Sequence, residues 1–181
     1  MPNWCHTDYV IEGPKKDLDK IESALKNPVE TKEACSDWVG NILISLGINP
    51  DEYSRMRGFL EYWDYESDVI SITFEDAWYK TDFDVALRDK FPELNIYYVL
   101  EEPGMGIYET NDVDGKYFPE RFYVDTCING NYQADYFITE EKALKWIEEL
   151  SGCSNYSDIE NFNNRVDSDD FISIYEFDVI D

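Results

Sequence analysis

The stretch from Val69 to Trp78 constrains the fold more than any other part of this chain. From residue 70 to residue 75, every second residue is apolar: Ile70, Ile72 and Phe74. The residues between them are polar: Ser71, Thr73 and Glu75. A period of two is typical of a strand with one buried face. Ile96, Tyr98 and Leu100 repeat the pattern after a segment with helical spacing, which predicts a strand–helix–strand unit at the centre of the chain.

The residues before this unit predict further strands and helices. Residues 9–12 fit a short strand, and residues 14–27 fit a helix that starts with proline and ends before another proline. A second helix is predicted at about 32–46 from its apolar stripe, with a short third helix beginning at Asn49. The aromatic-rich residues 59–65 are predicted to form a hairpin with the 69–78 strand.

This order of elements predicts the fold class. A strand, a helix, two strands, a helix and a strand follow one another, which is the order of a ferredoxin-like β-α-β-β-α-β plait. We therefore predict an α+β protein whose ferredoxin-like core, with inserted helices, covers about residues 1–104. A C-terminal β-rich extension at about 105–181 is expected on the same sheet, and residues 1–181 are expected to form a single domain.

The C-terminal extension has its own turn and cap signals. Asp114-Gly115 and Asn129-Gly130 are both typical of hairpin turns. Thr139 is a suitable cap for a helix that Gly152 ends, and the spacing Ser157-Asp-Ile-Glu160 fits a capping box for one more short helix. Alternation over residues 171–177 predicts a final strand.

The charge of the chain restricts its partners. Its 40 acidic and 15 basic residues give a formal net charge of −25. Such a surface repels nucleic acid and anionic membranes and attracts cations and basic protein surfaces. We therefore expect no direct nucleic-acid binding and no membrane binding.

The N-terminal sequence and the cysteines predict a cytoplasmic protein. The first residues lack a basic region followed by an apolar run, and no apolar stretch approaches the length that spans a membrane. The four cysteines are widely spaced, which favours reduced, buried thiols over a disulfide framework: Cys5, Cys35, Cys127 and Cys153.

Several strings resemble a known family. Met1-Pro-Asn-Trp-Cys5, followed by a strand and Gly13, resembles the opening of the YubB-type ferredoxin-like family of phage, plasmid and bacterial proteins. The string Phe74-Glu-Asp-Ala-Trp78, the helix ending at Phe91-Pro92 and the turn Glu101-Glu-Pro-Gly104 resemble that family's second signature. The resemblance implies a plait fold and little more, although the occurrence of the family in phage and plasmids suggests an origin in mobile elements. It implies no catalytic residue, because the family has no settled activity.

The sequence offers little for catalysis, metals or cofactors. With His6 as the only histidine, a serine or cysteine triad lacks its usual base. Asp112-Val-Asp114-Gly115 fails as a calcium loop at both ends of the motif. The cysteines and His6 give no zinc ligand pair at usable spacing, because Cys5 and His6 should point to opposite faces of a strand. We expect no catalytic residue, no metal and no cofactor.

Acid-rich stretches are the sequence feature with the clearest functional interpretation. Residues 58–79 contain six acids and no base, and residues 148–181 contain ten acids and one base, Arg165. On a strand, acids two residues apart lie roughly 6.6 Å apart on one face. One interpretation is that the charge only keeps the protein soluble. The other is an acidic, non-enzymatic surface that docks a basic protein, as a phage or plasmid inhibitor would. Its expected contact residues are Glu61, Trp63, Asp64, Glu66, Asp68, Glu101 and Glu102.

Two further expectations accompany the docking interpretation. The aromatic residues Trp63, Tyr65, Tyr79 and Tyr97 would anchor the interface if they are exposed, whereas packing in the core or at a sheet edge is the simpler interpretation. The alternative function is a carboxylate-based or cation-dependent hydrolase that uses Glu101 and Glu102, for which a solvated turn is the simpler interpretation.

Overall fold

The structure is a computed structural model that describes residues 3–29, 35–165 and 169–180. Within them the protein is a mixed α+β structure of five α-helices and nine strands. The chain divides into two compact units. The first comprises Met1–Asp112 with Ile180–Asp181, and the second comprises Val113–Val179.

Five antiparallel strands form the sheet of the first unit. Their order is β2-β3-β1-β4-β5. The bounds are β1 Trp4–Glu12, β2 Gly58–Glu66, β3 Val69–Ala77, β4 Asn95–Glu102 and β5 Ile107–Thr110. The strands predicted around Ile72 and Tyr98 are confirmed. The first strand is longer than predicted and begins at Trp4, because it is central and pairs along its length with β3 and β4.

Three helices cover one face of this sheet. They are α1 Lys15–Lys26, α2 Val39–Ser45 and α3 Phe83–Lys90, and a 3-10 turn, Pro50–Glu52, follows α2. Their apolar side chains join the strands in one core. The helix predicted at 14–27 is confirmed by α1, which buries Leu18, Ile21 and Leu25. We call the face of β1, β3 and β4 that contacts the helices the helix-side face. The opposite face of the sheet is called the outer face.

The second helix is shorter than predicted. Residues 32–34 of the predicted 32–46 helix lie outside the described residues, and the helix begins at Val39. Trp38 forms an isolated bridge with Phe59, and its indole nitrogen donates to the carbonyl of Met56 at 2.6 Å. These contacts hold Trp38 in an extended conformation, which keeps the preceding residues out of the helix. Gly47 has a φ of 70°, the left-handed conformation that commonly follows the end of a helix.

A tight turn joins β2 to β3, as the sequence predicts. Ser67 and Asp68 have φ values of 55° and 60°, the left-handed conformations that a two-residue hairpin turn of this twist requires. The register of the hairpin shifts between Leu60 and Tyr62. Glu61 is the extra residue of this bulge, which lies on the edge strand of the sheet.

The prediction that the extension at about 105–181 lies on the first sheet is confirmed for β5 and wrong for three strands of the second unit. Its strands β6 Phe122–Ile128, β7 Asn131–Phe137 and β8 Phe171–Glu176 form a separate three-stranded sheet, in the order β7-β6-β8. Helices α4 Glu140–Ser151 and α5 Tyr156–Asn163 pack on it and close a second core. Because this core buries its own apolar faces, including those of Val124, Ile147 and Ile172, the sheet needs no continuation of the first one. A short strand β9, Asp178–Val179, follows β8.

The turn signals of the second unit are confirmed in part. Asn129-Gly130 joins β6 to β7 as a hairpin, and Gly152 ends α4 in a left-handed conformation. Asp114-Gly115 also turns the chain, with φ 65° at Gly115, but it joins no hairpin, because β5 and β6 belong to different sheets. The predicted capping box at Ser157 is wrong: α5 starts earlier, with Asn155 as its cap.

Candidate functional site

The outer face of the first unit's sheet carries most of its strand carboxylates. Directly paired residues in an antiparallel sheet share a face. His6 on β1 pairs with Glu75 on β3 and with Glu101 on β4, and the neighbouring positions Cys5 and Asp76 are buried on the helix side. By the same alternation, the outer face carries the acids Asp8, Glu12, Asp64, Glu66, Glu75 and Glu101. These residues, together with Glu61, form what we call the anionic face.

The charge of the first unit is segregated between its two layers. The five strands β1–β5 contain no lysine and no arginine. The basic residues described in this unit lie on the helices and in the loops: Lys15, Lys16, Lys20, Lys26, Arg55, Arg57, Lys80, Arg88 and Lys90. Many of them are paired there, for example Lys20 with Asp17 at 2.8 Å and Lys26 with Glu22 at 2.6 Å. The excess negative charge of the sheet therefore has no basic residue on the strands to offset it.

The edge strand β2 presents the most accessible part of this face. Glu61, Tyr62, Asp64 and Glu66 are all exposed, and Tyr62 is 59 % exposed. The bulge places Glu61 on the same side as Tyr62, because a bulge puts two consecutive residues opposite one residue of the neighbouring strand. Near its start the edge is occupied, since the backbone N–H of Leu60 donates to the carbonyl of Asp37.

His6 lies among three carboxylates on the outer face. Glu75 and Glu101 are its cross-strand partners on either side. Nδ1 of His6 is 3.6 Å from Oε2 of Glu61, which reaches it from the bulge. The prediction that Cys5 and His6 point apart is confirmed, since Cys5 is 1 % exposed and the His6 side chain is half-exposed.

The expected contact residues divide between the anionic face and other places. Glu61, Asp64, Glu66 and Glu101 lie on the face. Asp68 lies in the β2–β3 turn, where its carboxylate is 3.5 Å from Nζ of Lys15. Two expected residues do not belong to an exposed surface. Trp63 packs against the core on the helix side, and Glu102 is only 1 % exposed.

The exposed aromatic residues differ from those expected. Trp63, Tyr65 and Tyr79 pack against the core, which favours the simpler interpretation of these three, and Tyr97 is half-buried. The accessible aromatic residues on the outer side of the sheet are Trp4 and Tyr62 instead. Trp4 was missed because the first strand was predicted to begin only at residue 9. Trp4 lies one and three positions before the buried residues Cys5 and Thr7. This period of two could have placed its side chain on the outer face.

Two buried carboxyl groups lie behind the anionic face. Asp76 is fully buried and accepts a 2.8 Å hydrogen bond from the hydroxyl of Thr7. Burial raises the pKa of Asp76 to about 7, and the Thr7 hydroxyl, the backbone of Thr81 and the charge of Lys80 only partly oppose this shift. Oδ1 of Asp76 has no partner with hydrogen-bond geometry. Asp76 thus differs from the ordinary, solvated acids of a protein surface.

Glu102 is the second buried carboxyl group. Its Oε2 accepts from the backbone N–H of Met105 at 2.5 Å, and its Oε1 has no hydrogen-bond partner. The prediction of a solvated turn at this position is therefore wrong for Glu102. The charges of Asp76 and Glu102 also bear on Cys5: burial first, and these acids next, raise the pKa of its thiol to about 12. Such a thiol stays protonated and is a poor nucleophile.

The four cysteines form no disulfide, and one of them is exposed. Cys5 and Cys153 are buried and Cys127 is half-buried, but Cys35 is exposed, which corrects the expectation that all four would be buried. Among the described residues, no group of three or more His, Cys, Asp and Glu side chains is arranged to hold a metal ion. No helix in the described ranges is both long enough and apolar enough to cross a membrane.

Comparison of the chain with protein-family models, with curated proteins and with solved structures found no match.

Proposed function

We propose that this protein is a non-enzymatic, acidic interaction protein that binds a basic protein partner through the anionic face. The observation that carries this proposal is the segregation of charge, with carboxylates on the outer side of strands that contain no lysine or arginine. A charge spread evenly over the surface would only favour solubility. A charge concentrated on one face also steers a partner of opposite charge into one orientation.

The spacing of the acids fits an extended basic segment. Asp64 and Glu66 are two residues apart on the exposed edge strand, so their side chains lie roughly 6.6 Å apart on one face. Lysine or arginine side chains at alternate positions of an extended partner have the same spacing. Exposed pairs of this kind contribute modestly to affinity, about 0.2–1 kcal/mol each, but increase the association rate and make binding sensitive to salt.

The proposal includes an assignment of the fold and family. The order β2-β3-β1-β4, with α1 between β1 and β2 and α3 between β3 and β4, supports a ferredoxin-like plait for the first unit. Together with the sequence resemblance, it supports membership of the YubB-type family and an origin in mobile elements. In that setting a cytoplasmic, basic DNA-binding protein is the expected partner. Nucleic acid itself would be repelled by the anionic face.

A titration with a basic DNA-binding protein tests this function. Binding to linker histone, followed by fluorescence anisotropy, should weaken steeply between about 50 mM and about 300 mM salt. The double variant Asp64→Asn/Glu66→Gln should bind roughly three- to tenfold more weakly. The control Asp19→Asn/Glu22→Gln removes the same charge from α1, and its affinity should change much less. Equal losses in the two variants, or binding that is indifferent to salt, would refute a specific face.

The alternative function, a carboxylate-based or cation-dependent hydrolase, requires Glu101 and Glu102 to act together at an accessible site. Glu102 is buried on the helix side while Glu101 lies on the outer face, so the two carboxyl groups point in opposite directions. No observation in the described part of the chain favours this alternative. A fall in melting temperature when a chelator is added would support it.

A further inference from the structure

Strand β7 is an exposed edge of the second unit's sheet. Among the described residues it has a neighbouring strand on one side only, β6. Six of its seven residues, from Asn131 to Tyr136, are exposed. Its pairing with β6 is regular from Asn131 to Phe137, without a bulge, and the strand contains no lysine and no proline. A regular, unprotected edge of this kind can accept a further strand.

The β6–β7 turn determines which backbone groups of β7 face outward. The turn has two residues, Asn129 and Gly130, so the residues that flank it form a hydrogen-bonded pair. Every second residue from Asn131 therefore bonds to β6, in agreement with the 2.8 Å bond from the N–H of Arg121 to the carbonyl of Phe137. The residues between them point their N–H and C=O groups away from β6: Tyr132, Ala134 and Tyr136.

The charge of β7 favours a second copy of this chain as the occupant of the edge. The edge strand β2 has three acids in nine residues and a bulge at Glu61, whereas β7 has one acid in seven, Asp135. Each chain has a formal net charge of −25, so two copies repel one another wherever acidic surfaces meet. Of these two edges, β7 therefore opposes a second copy less. For the same reason it offers little attraction to a basic partner.

The sequence of β7 is complementary to itself about Ala134. When two copies run antiparallel with Ala134 opposite its own copy, the three outward-facing residues of each strand lie opposite one another. Tyr132 of one copy is then opposite Tyr136 of the other, an aromatic pair that occurs twice because of the symmetry. On the other face, the amide of Gln133 can donate to the carboxylate of Asp135. An axis through Asp135 would instead place two carboxylates opposite each other.

This register uses all the outward-facing backbone groups of β7. Each of the three opposite pairs exchanges two hydrogen bonds, which gives about six between the two copies. One of these groups already has a local partner, since the backbone N–H of Tyr136 donates to Oδ1 of Asp135 at 2.8 Å. Pairing exchanges this exposed bond for one to the carbonyl of Tyr132 in the second copy. The Asp135 carboxylate then accepts from Gln133 instead.

We propose that β7 is a self-association edge, at which two copies of this chain pair antiparallel about Ala134 and join their three-stranded sheets into one. This inference goes beyond the proposed function, because it concerns the second unit and not the anionic face. The two predict opposite responses to salt. Screening weakens the attraction between the anionic face and a basic partner. It also weakens the repulsion between two acidic copies, and so strengthens their pairing.

Sedimentation equilibrium of the full chain measures this pairing. A monomer–dimer equilibrium is expected, with a dissociation constant that falls roughly three- to tenfold between about 50 mM and about 500 mM salt. Ala134→Asp places two carboxylates opposite one another at the centre of the pair, so this variant should remain monomeric. Asn129→Asp is the matched control, because it adds the same charge to the same hairpin and Asp-Gly supports the same turn. Its dissociation constant should differ from that of the wild-type protein by less than about twofold.

A mixing experiment shows whether residue 134 meets its own copy. Ala134→Lys should also remain monomeric by itself. An equimolar mixture of Ala134→Asp and Ala134→Lys should form a heterodimer, because the central pair is then oppositely charged. A variant that had merely misfolded would not recover in this way.

Three results would overturn the inference. They are a wild-type protein that stays monomeric at about 500 mM salt, an Ala134→Asp variant that dimerises as the wild-type protein does, and a mixture of the two charged variants that stays monomeric. None of these results changes the expected binding of histone to the anionic face, so the proposed function is tested separately.

Discussion

The hydroxyl group of Thr7 on β1 donates a hydrogen bond of 2.8 Å to Oδ2 of Asp76 on β3, and both side chains are fully buried. This bond satisfies one oxygen of the carboxyl group and leaves the other without a partner. A buried, half-satisfied carboxyl group disfavours its own ionisation, which is why burial raises the pKa of Asp76 to about 7. The pair therefore links the stability of the first unit to pH.

We expect Asp76 to destabilise the folded protein as the pH rises from about 4 to about 7. The pKa of this carboxyl group rises from 3.8 to about 7 on folding, so between those values the folded state holds a proton that the unfolded chain has released. The free energy of unfolding must then fall with increasing pH across this window, by roughly 4 kcal/mol at most. Asp76→Asn cannot ionise and should remove this part of the slope. Urea unfolding at about pH 5 and about pH 8 measures how the free energy of unfolding changes with pH. An equal change in the wild-type protein and in the variant would contradict the prediction.

Replacing Thr7 should reveal the energy of its bond to Asp76. Thr7→Val keeps the shape of the side chain but leaves Oδ2 of Asp76 without a donor, so the protein should lose about 1–3 kcal/mol at about pH 8. Thr73→Val is the matched control, because the Thr73 hydroxyl donates to Oδ1 of Asp8 at 2.6 Å on the half-exposed outer face. Water can replace that bond, so the control should cost less than about 1 kcal/mol. A chemical denaturation series that ranks the two variants the other way would be inconsistent with this account.

A methyl group at Gly58 should disturb the same carboxyl group. The Cβ of an alanine at this position would lie 2.0 Å from Oδ1 of Asp76 and 2.7 Å from Cγ2 of Thr81. Because both neighbours are buried, Gly58→Ala should destabilise the protein by about 1–3 kcal/mol. Gly130→Ala meets no atom within 4 Å but has a φ of 73°, so it should cost only the backbone strain of about 1 kcal/mol. The melting temperatures of the two variants compare the steric effect at Gly58 with the backbone effect at Gly130. A Gly58→Ala variant with an unchanged melting temperature would contradict the prediction and show that the Asp76 side chain can move.

The cap observed at the start of α5 is Asn155 and not the predicted Ser157. Oδ1 of Asn155 accepts from the backbone N–H of Asp158 at 3.1 Å, and its Nδ2 donates to the Asp158 carboxylate at 2.8 Å. Asn155→Ala should therefore destabilise the second unit by about 0.5–2 kcal/mol. Ser157 is the second residue of α5 and is exposed in its first turn. Ser157→Ala should therefore change stability by less than about 0.5 kcal/mol. Hydrogen exchange of the α5 amides shows whether the destabilisation lies in this helix. A larger loss of stability for Ser157→Ala than for Asn155→Ala would support the predicted capping box at Ser157 instead.

Patterns between neighbouring residues predicted much of the secondary structure. The alternation of Ile70, Ile72 and Phe74 predicted which face of β3 is buried, and Asn129-Gly130 predicted the β6–β7 turn. The same alternation, continued by one step, also indicates that Asp76 and Glu102 point into the helix side. Their acidic character suggested surface residues instead. Here the period of the strand was a better guide than the polarity of the side chain.

Other features depend on contacts between residues far apart in the chain. Side-chain alternation and turn conformation are local properties, so the sequence alone indicates the strands, their buried faces and most helix ends. Which strands pair is decided by long-range hydrogen bonds and by the core that each sheet can close. For this reason only the tertiary structure separates β6, β7 and β8 from the first sheet, brings Thr7 to Asp76, and places Trp4 beside Glu75 and Glu101.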